Sequence, residues 1–145
     1  MIREMTISDL EGIQILQDEE LKSNWSETLY KQELLDFNTI AFVLILDDQL
    51  VGFVLGKMLV DSSDLYQIVI SKNAQGKGLG TLLLQAYWDE VIKRGGNASI
   101  LEVNSKHKEV IAFYTKFGFK QLYIRRHYYG RNRDAIIMKK EGDVC

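Results

Sequence analysis

The sequence of 145 residues contains no proline, and its single cysteine, Cys145, is the last residue. One cysteine cannot form a disulfide within the chain, and it cannot build a cysteine-based metal site. No low-complexity stretch or repeat marks a linker, so we expect a single domain spanning residues 1–145. No apolar run reaches the ~18 residues that cross a bilayer, and the first residues lack the apolar core of a signal peptide. We therefore expect a cytoplasmic protein with no metal and no membrane partner.

The chain also lacks an excess of positive charge, since its net charge is −2 at pH 7. A strongly basic balance is typical of general nucleic-acid binders, so we expect no direct contact with nucleic acid. One stretch is locally basic, with four arginines among aromatic residues in Tyr123–Arg133. It could hold RNA or an anionic ligand. Its alternation also predicts two strands joined by a polar hairpin, which is the interpretation we favour.

Hydrophobic periodicity predicts the element order βααβββαβαββ, which indicates an α/β fold with a mixed central sheet flanked by helices. The spacing of Ser8 and Glu11 predicts a capping box for the first helix, and Ser26 is the predicted cap of the second. The predicted strands cover residues 2–5, 39–46, 49–60, 65–70, 99–103, 120–128 and 135–139, and the predicted helices cover 8–21, 26–36, 78–94 and 106–117.

Three closely spaced glycines, Gly76, Gly78 and Gly80, lie between a predicted strand and an apolar helix. Their spacing fits neither the dinucleotide fingerprint G-x-G-x-x-G nor the ATPase loop G-x-x-x-x-G-K-S/T. A strand–loop–helix of this kind still leaves backbone N–H groups free at a helix N-terminus, where the helix dipole attracts a phosphate. A tight turn without a ligand is the alternative, but the adjacent Lys77 favours phosphate binding.

The stretch QGKGLG at residues 75–80 resembles the pyrophosphate loop Q-x-x-G-x-G of GNAT-fold N-acetyltransferases. LEV at 101–103 and IAFYTKFGF at 111–119 are similar to the late strand–helix signature of that family. NWSE from residue 24, IRRHYY at 124–129 and DAIIM at 134–138 resemble the RimI-type ribosomal-protein-alanine N-acetyltransferases. The resemblance implies a single-domain GNAT fold that uses acetyl-CoA to acetylate a primary amine. The implied acceptor is a peptide or the N-terminal alanine of a ribosomal protein.

The resemblance also implies which residues hold acetyl-CoA. The glycine loop would bind its pyrophosphate, and the backbone at the end of the fourth strand would bind the pantetheine arm and polarise the thioester. The implied cofactor-binding residues are Ile68, Val69, Ile70, Gln75, Gly76, Lys77, Gly78, Leu79 and Gly80. The family usually has asparagine where this chain has His107, so the contact at that position stays open. His107 or His127 could also be a base, although a surface histidine is the more common case.

Acetyl transfer to an amine needs a base, and Glu102 is the candidate. A chain α-amine has a pKa near 7.7–8.0, so its neutral form at pH 7 costs only about 1.2 kcal/mol, against roughly 4.6 for lysine. A carboxylate acting through water would therefore suffice. Glu102 lies within the apolar strand SILEV, where burial would favour its protonated form. A solvent-facing glutamate is the alternative, and the resemblance implies the role of proton acceptor.

Tyr114 is the candidate acid, because it follows Glu102 in the next predicted helix and the two can face one cleft. A phenol of pKa near 10 can protonate a thiolate only when the two are closely positioned, since the thiol has a pKa near 8.5. A packed core tyrosine is the alternative, and the resemblance implies that Tyr114 is the proton donor.

Two other functions remain open. One is acetylation of lysine or a small amine, and the other is a catalytically silent acetyl-CoA binding module. Asp18, Glu19, Glu20 and Glu27 near Trp25 would suit a basic peptide, or are solvated helix ends.

Overall fold

A computed structural model of the protein describes residues 1–20 and 25–142. The helices and strands of this part of the chain follow the predicted order. The strands are β1 (Ile2–Glu4), β2 (Thr39–Leu46), β3 (Gln49–Leu59), β4 (Ser62–Ile70), β5 (Ala98–Asn104), β6 (Lys120–Gly130) and β7 (Arg133–Glu141). The helices are α1 (Leu10–Glu20), α2 (Glu27–Leu35), α3 (Leu79–Lys93) and α4 (Lys108–Phe117). The first helix was predicted to end near residue 21, which lies outside the described residues, as does Asn24.

The seven described strands form one sheet in the order β1-β2-β3-β4-β5-β7-β6. Strands β4 and β5 pair in parallel, and the other neighbours are antiparallel. The prediction of a mixed central sheet flanked by helices is confirmed. The basic stretch predicted to be a hairpin is the β6–β7 pair, with Gly130 opposite Arg133 at its tip.

Strands β4 and β5 pair over only part of their lengths. In the described chain the pairing joins Ser62–Asp64 to Ala98–Ile100 and extends no further. Beneath this short contact, Ser63 Oγ and Ser99 Oγ lie 2.8 Å apart, and the buried Tyr87 hydroxyl donates to Ser63 Oγ at 3.0 Å. The sheet therefore opens between the C-terminal ends of β4 and β5.

The two faces of the sheet have separate apolar cores. One core lies under α3 and α4, and it includes Leu83, Leu101, Val103 and Tyr114. The other lies under α1 and α2, and its members are Met5, Leu10, Ile13, Leu16, Tyr30, Val43, Phe53, Leu55 and Val69. Because successive strand residues point to opposite faces, neighbouring residues of β4 and β5 contribute to different cores.

The first helix is capped earlier than predicted. The capping box predicted at Ser8 and Glu11 is wrong, because a 3-10 turn begins at Ile7 and precedes α1. The backbone N–H of Thr6 donates instead to the Asp9 carboxylate at 2.7 Å. Arg3 pairs with the same carboxylate at 2.8 Å and holds the pKa of Asp9 below its usual value. The cap predicted for the second helix is confirmed, since the Ser26 hydroxyl accepts from the Leu29 N–H at 3.1 Å.

Gly56 in β3 has no side chain, and the Tyr87 hydroxyl occupies the position that a Cβ would take. A Cβ at position 56 would collide with the Tyr87 hydroxyl and would lie 2.5 Å from the Asp64 carbonyl oxygen. We expect Gly56→Ala to lower the free energy of unfolding by about 3 kcal/mol, because overpacking a buried contact forces side chains and backbone apart. Urea denaturation measures this change.

The control for this prediction is Gly12→Ala in α1. Among the described residues outside its own helix backbone, its Cβ would meet Leu50 alone, at 3.7 Å, which is an ordinary van der Waals distance. Alanine in a helix is favoured over glycine by about 1 kcal/mol, so this variant should be at least as stable as the wild type. Equal stability of Gly56→Ala and the wild type would contradict the prediction.

Candidate active site

The gap between β4 and β5 is the mouth of a cleft of about 720 Å³. Strand β4, the loop that follows it, the start of α3, the end of β5 and helix α4 form its walls. Most of the residues indicated by the sequence line it, namely Ile68, Ile70, Gln75, Gly76, Gly78, Leu79, Gly80, Glu102 and Tyr114. Val69 and Lys77 lie outside the lining.

The glycine loop presents backbone to the cleft. Gly76 and Gly78 have φ angles of +79° and +77°, a backbone conformation that residues other than glycine rarely adopt. A Cβ on either glycine would have no atom of the described chain within 4 Å. The first helical bond of α3 runs from the Leu82 N–H to the Gly78 carbonyl at 3.3 Å. The N–H groups of residues 79–81 precede that bond and are free to bind an oxyanion.

The end of β4 has a free edge facing the cleft. The Ser71 N–H donates to the Val51 carbonyl of β3 at 2.7 Å, whereas the Ile70 carbonyl faces away from β3 and accepts from Gln75 Nε2 at 2.9 Å. Backbone groups alternate in direction along a strand, so the N–H and C=O of Ile68 also face away from β3. Val69 pairs with Phe53, and its side chain is buried in the core under α1 and α2.

Glu102 is held by the β6–β7 hairpin. The expected burial of Glu102 is wrong, because its side chain is 34% exposed. Its neighbours along β5 are buried under α3 and α4, so Glu102 points to the opposite face. The Tyr129 hydroxyl donates to Glu102 Oε2 at 2.8 Å, and Arg125 Nη1 lies 3.8 Å from Oε1. Burial, and then the adjacent carboxylate, raise the pKa of Tyr129 above its usual value.

Tyr114 occupies the other side of the opening. Its ring packs against Phe113 and Phe119, with centroid distances of 5.4 and 5.5 Å. The residue is 8% exposed, and burial raises the pKa of its hydroxyl, which therefore stays protonated at neutral pH. No residue in the described ranges forms a hydrogen bond with that hydroxyl. Glu102 and Tyr114 thus approach one cleft from opposite faces of the sheet.

The two histidines differ in position. His107 lies directly before α4 and lines the cleft. His127 is in the β6–β7 hairpin, where its Nδ1 accepts from the Asn132 N–H at 3.1 Å, and it lies outside the cleft lining.

Several lining residues were not indicated by the sequence reasoning. Besides His107, which the sequence had raised, they are Tyr66, Gln67, Ala74, Thr81, Val103, Asn104, Glu109, Val110, Phe113 and Tyr129. Of these, Gln67 could have been found from the sequence, because it is a polar residue inside the apolar strand LYQIVI.

In the part of the chain that the structure describes, no three His, Cys, Asp or Glu side chains form a group that could hold a metal. The described helices include none long and apolar enough to cross a membrane.

A sheet that opens into a cleft beside a glycine loop, with a carboxylate and a phenol on its two faces, fits an enzyme that binds a phosphate-bearing ligand. The chain belongs to the GNAT acetyltransferase family, since residues 7–141 match the acetyltransferase (GNAT) domain. It is 34% identical over 118 residues to the [ribosomal protein bS18]-alanine N-acetyltransferase of Escherichia coli K12, covering 79% of this chain and 78% of that protein. The predicted family and its acetyltransferase activity are therefore confirmed.

Solved structures agree with this assignment. The ribosomal-protein-S18-alanine N-acetyltransferase from Escherichia coli superposes with a TM-score of 0.90 at 28% identity, over 100% of this chain and 95% of that one. The PaiA N-acetyltransferase from Thermoplasma acidophilum, solved in complex with coenzyme A, shares the fold with a TM-score of 0.85 at 22% identity, over 97% of this chain and 98% of that one. The predicted GNAT fold is confirmed.

Proposed function

We propose that this acetyltransferase moves the acetyl group of acetyl-CoA to the N-terminal alanine amine of a ribosomal protein, by direct attack in a ternary complex. The supporting observation is that Glu102 and Tyr114 line one cleft from opposite faces of the opened sheet. The similarity to the Escherichia coli enzyme supports the acceptor. With a ribosomal acceptor, the reaction would take place in the cytoplasm.

Acetyl-CoA would bind along the loop and the free edge of β4. The N–H groups at the start of α3 would bind its pyrophosphate, with Lys77 adding positive charge. The free backbone groups of Ile68 and Ile70 would bind the pantetheine arm, and one N–H would polarise the thioester carbonyl. The Gln75 side chain ties the loop to β4 by donating to the Ile70 carbonyl, and Val69 anchors β4 in the core under α1 and α2. The remaining loop residues of the proposed site are Gly76, Gly78, Leu79 and Gly80.

The amine would enter from the Glu102 side. Its nitrogen attacks the thioester carbon, and the proton it loses passes through water to the carboxylate. An α-amine with a pKa near 8 needs only such a modest base near neutral pH. Tyr129 and Arg125 hold the carboxylate in place, because both contact its oxygens.

The sulfur would leave on the Tyr114 side. As the carbon–sulfur bond breaks, the Tyr114 hydroxyl gives its proton to the sulfur. Burial raises the pKa of Tyr114, so the hydroxyl is present as the protonated donor whenever the enzyme works near neutral pH. The transfer from phenol to thiolate is uphill in water, which makes close positioning in the cleft necessary.

The direct test measures coenzyme A release and product mass with three acceptors, namely an alanine-starting peptide, the same peptide with a blocked N-terminus and an internal lysine, and a small amine. Acetylation of the α-amine alone would support the proposal, and acetylation of lysine or the small amine would favour those alternatives. Acetyl-CoA binding without turnover on any amine would favour the silent module.

Mass spectrometry of small-subunit ribosomal proteins from cells with and without the gene tests the acceptor.

Gly78→Val should weaken the binding of acetyl-CoA by at least about 10-fold. A β-branched residue at a φ of +77° strains the loop, at a cost of about 1–3 kcal/mol, and its methyl groups would extend into space reserved for the pyrophosphate. Isothermal titration calorimetry measures the affinity. Gly95→Val is the matched control, because Gly95 also has a positive φ, of +88°, and an open Cβ position, but lies beyond the far end of α3. A folded Gly78→Val variant with unchanged affinity would move the cofactor site elsewhere.

A further inference from the structure

A buried chain of polar side chains connects helix α1 to the cleft. Gln17 and Tyr30 are fully buried, and Gln67 is 7% exposed. The Tyr30 hydroxyl lies 2.7 Å from Gln17 Oε1 and 2.8 Å from Gln67 Oε1, so two amide oxygens face a group that carries one hydrogen. At the other end, Gln17 Nε2 donates to the Trp25 carbonyl at 3.0 Å. Buried polar atoms nearly always have partners, so the hydrogens of this chain can be assigned one by one.

The Tyr30 hydroxyl carries a single hydrogen, and this limits how the two amides can be turned. Burial raises the pKa of Tyr30 to about 12, so the hydrogen stays in place at neutral pH. The NH₂ group of Gln17 is engaged by the Trp25 carbonyl, so the Gln17 oxygen faces Tyr30 and accepts the hydrogen. The hydroxyl oxygen can then only accept, so we turn the Gln67 amide by 180°, which places its Nε2 instead of its Oε1 against Tyr30.

In this orientation the side-chain carbonyl oxygen of Gln67 faces the cleft. Gln67 lines the cleft, and among the described residues Tyr30 is the only hydrogen-bond partner of its side chain. Its side chain lies on the α1–α2 face of the sheet, where it reaches Tyr30. Glu102 lies on that same face, because Leu101 and Val103 turn to the other core. An acceptor that faces the cleft and has no protein partner among the described residues therefore lies across the opening of the sheet from Glu102.

We infer that the side-chain carbonyl of Gln67 accepts a hydrogen bond from the amino group of the acceptor substrate and holds it on the face where Glu102 lies. This inference rests on the proposed function and names the group that recognises the amine. A carbonyl oxygen attracts N–H donors, and a protonated amine forms the stronger bond because it is charged. The thioester group has no N–H, so at the reacting atoms the oxygen is complementary to the amine rather than to the acetyl donor.

The kinetic test compares Gln67→Met with the wild type. Methionine keeps the length of the side chain and removes the acceptor. We expect the KM for an alanine-starting peptide to rise about 10- to 100-fold, since a hydrogen bond to a charged group is lost, while the KM for acetyl-CoA stays unchanged. Gln14→Met is the matched control, because Gln14 also donates to the Trp25 carbonyl, at 3.1 Å, but lies outside the cleft lining. This variant should keep both KM values.

Two kinetic results would overturn the inference. The first is an unchanged peptide KM in Gln67→Met. The second is a rise confined to the KM for acetyl-CoA, which would mean that Gln67 holds the cofactor arm. Failure of the wild type to acetylate any amine is a different result, because it rejects the proposed function, and a measurement that needs no turnover then decides the role of Gln67.

That measurement is nuclear magnetic resonance of the wild-type enzyme with ¹⁵N-labelled glutamine, with Gln67→Met identifying the signal. We expect cross-peaks between the Gln67 amide protons and the Tyr30 ring, and a shift of the Gln67 signal when the alanine-starting peptide is added. An N-terminally acetylated peptide, which lacks the amino group, should leave the signal in place. Rapid solvent exchange of the amide protons without cross-peaks to Tyr30, or equal shifts with both peptides, would overturn the inference.

Discussion

Replacing Glu102 by glutamine should lower kcat/KM for an alanine-starting peptide by about 10²–10⁴-fold near neutral pH. Glutamine keeps the shape of the side chain, and its amide oxygen can still accept from the Tyr129 hydroxyl, which donates to Glu102 at 2.8 Å. What is lost is the carboxylate that we propose as the proton acceptor of the amine. Steady-state kinetics with both substrates varied measures the change. Glu141→Gln on the neighbouring strand β7 is the control, since it makes the same change of charge at an exposed position.

The pH dependence of this deficit identifies the substrate class as well. An α-amine loses its own proton above about pH 8, so the base becomes less necessary and the gap between variant and wild type should narrow as the pH rises. A lysine side chain stays protonated to about pH 10.4 and would keep the gap wide far into alkaline solution. Profiles from pH 6 to 9.5 with both peptides distinguish the cases. A variant as active as the wild type at pH 6.5 would reject Glu102 as the base.

Tyr114→Phe should lower kcat by about 10²-fold or more, because general acid catalysis typically contributes 10²–10⁴-fold. The deficit should shrink with an acetyl donor whose thiol is more acidic, since a better leaving group needs less help from an acid. Rapid-quench measurement of the chemical step checks both expectations. Full activity in the chemical step would mean that Tyr114 only packs against Phe113 and Phe119.

The stability of Tyr114→Phe distinguishes a chemical role of the hydroxyl from a structural one. Within residues 1–20 and 25–142 the Tyr114 hydroxyl has no hydrogen-bond partner, and the residue is 8% exposed. The Tyr114 hydroxyl faces the cleft, and removing it leaves no orphaned partner behind, so Tyr114→Phe should be about as stable as the wild type. A loss of catalysis without a loss of stability would separate a chemical role from a packing role. The free energy of unfolding in urea measures the second quantity.

The glycine loop is the part of the site that the sequence predicted most completely. Glycines at positions 76 and 78 are required by positive φ angles, and that need is local, so it can be read from the residue type. The strand before the loop was predicted less well. Ile68, Val69 and Ile70 look alike in sequence, but the alternation of a strand turns only the first and third toward the cleft.

Side chains that meet across the fold were beyond sequence reasoning. Tyr129 reaches Glu102 only because β7 brings the hairpin beside β5, and nothing local to either residue encodes that contact. The exposure of Glu102 has the same origin, since the apolar strand around it covers one face only. The early cap at Thr6 and Asp9 was missed because Arg3 of β1 contributes to it.

The short contact between β4 and β5 would give the acetyl donor a structural role in the binding mode that we propose. Among residues 1–20 and 25–142, three residues on each strand join the two halves of the sheet, and the edge of β4 beyond them has no strand partner on this side. A donor that hydrogen-bonds along this edge takes the place of a missing strand, so the sheet is completed only while the donor is bound. Any ligand that binds the folded state alone also stabilises it by mass action. The concentration of acetyl-CoA would then set the folded fraction of this enzyme as well as its rate.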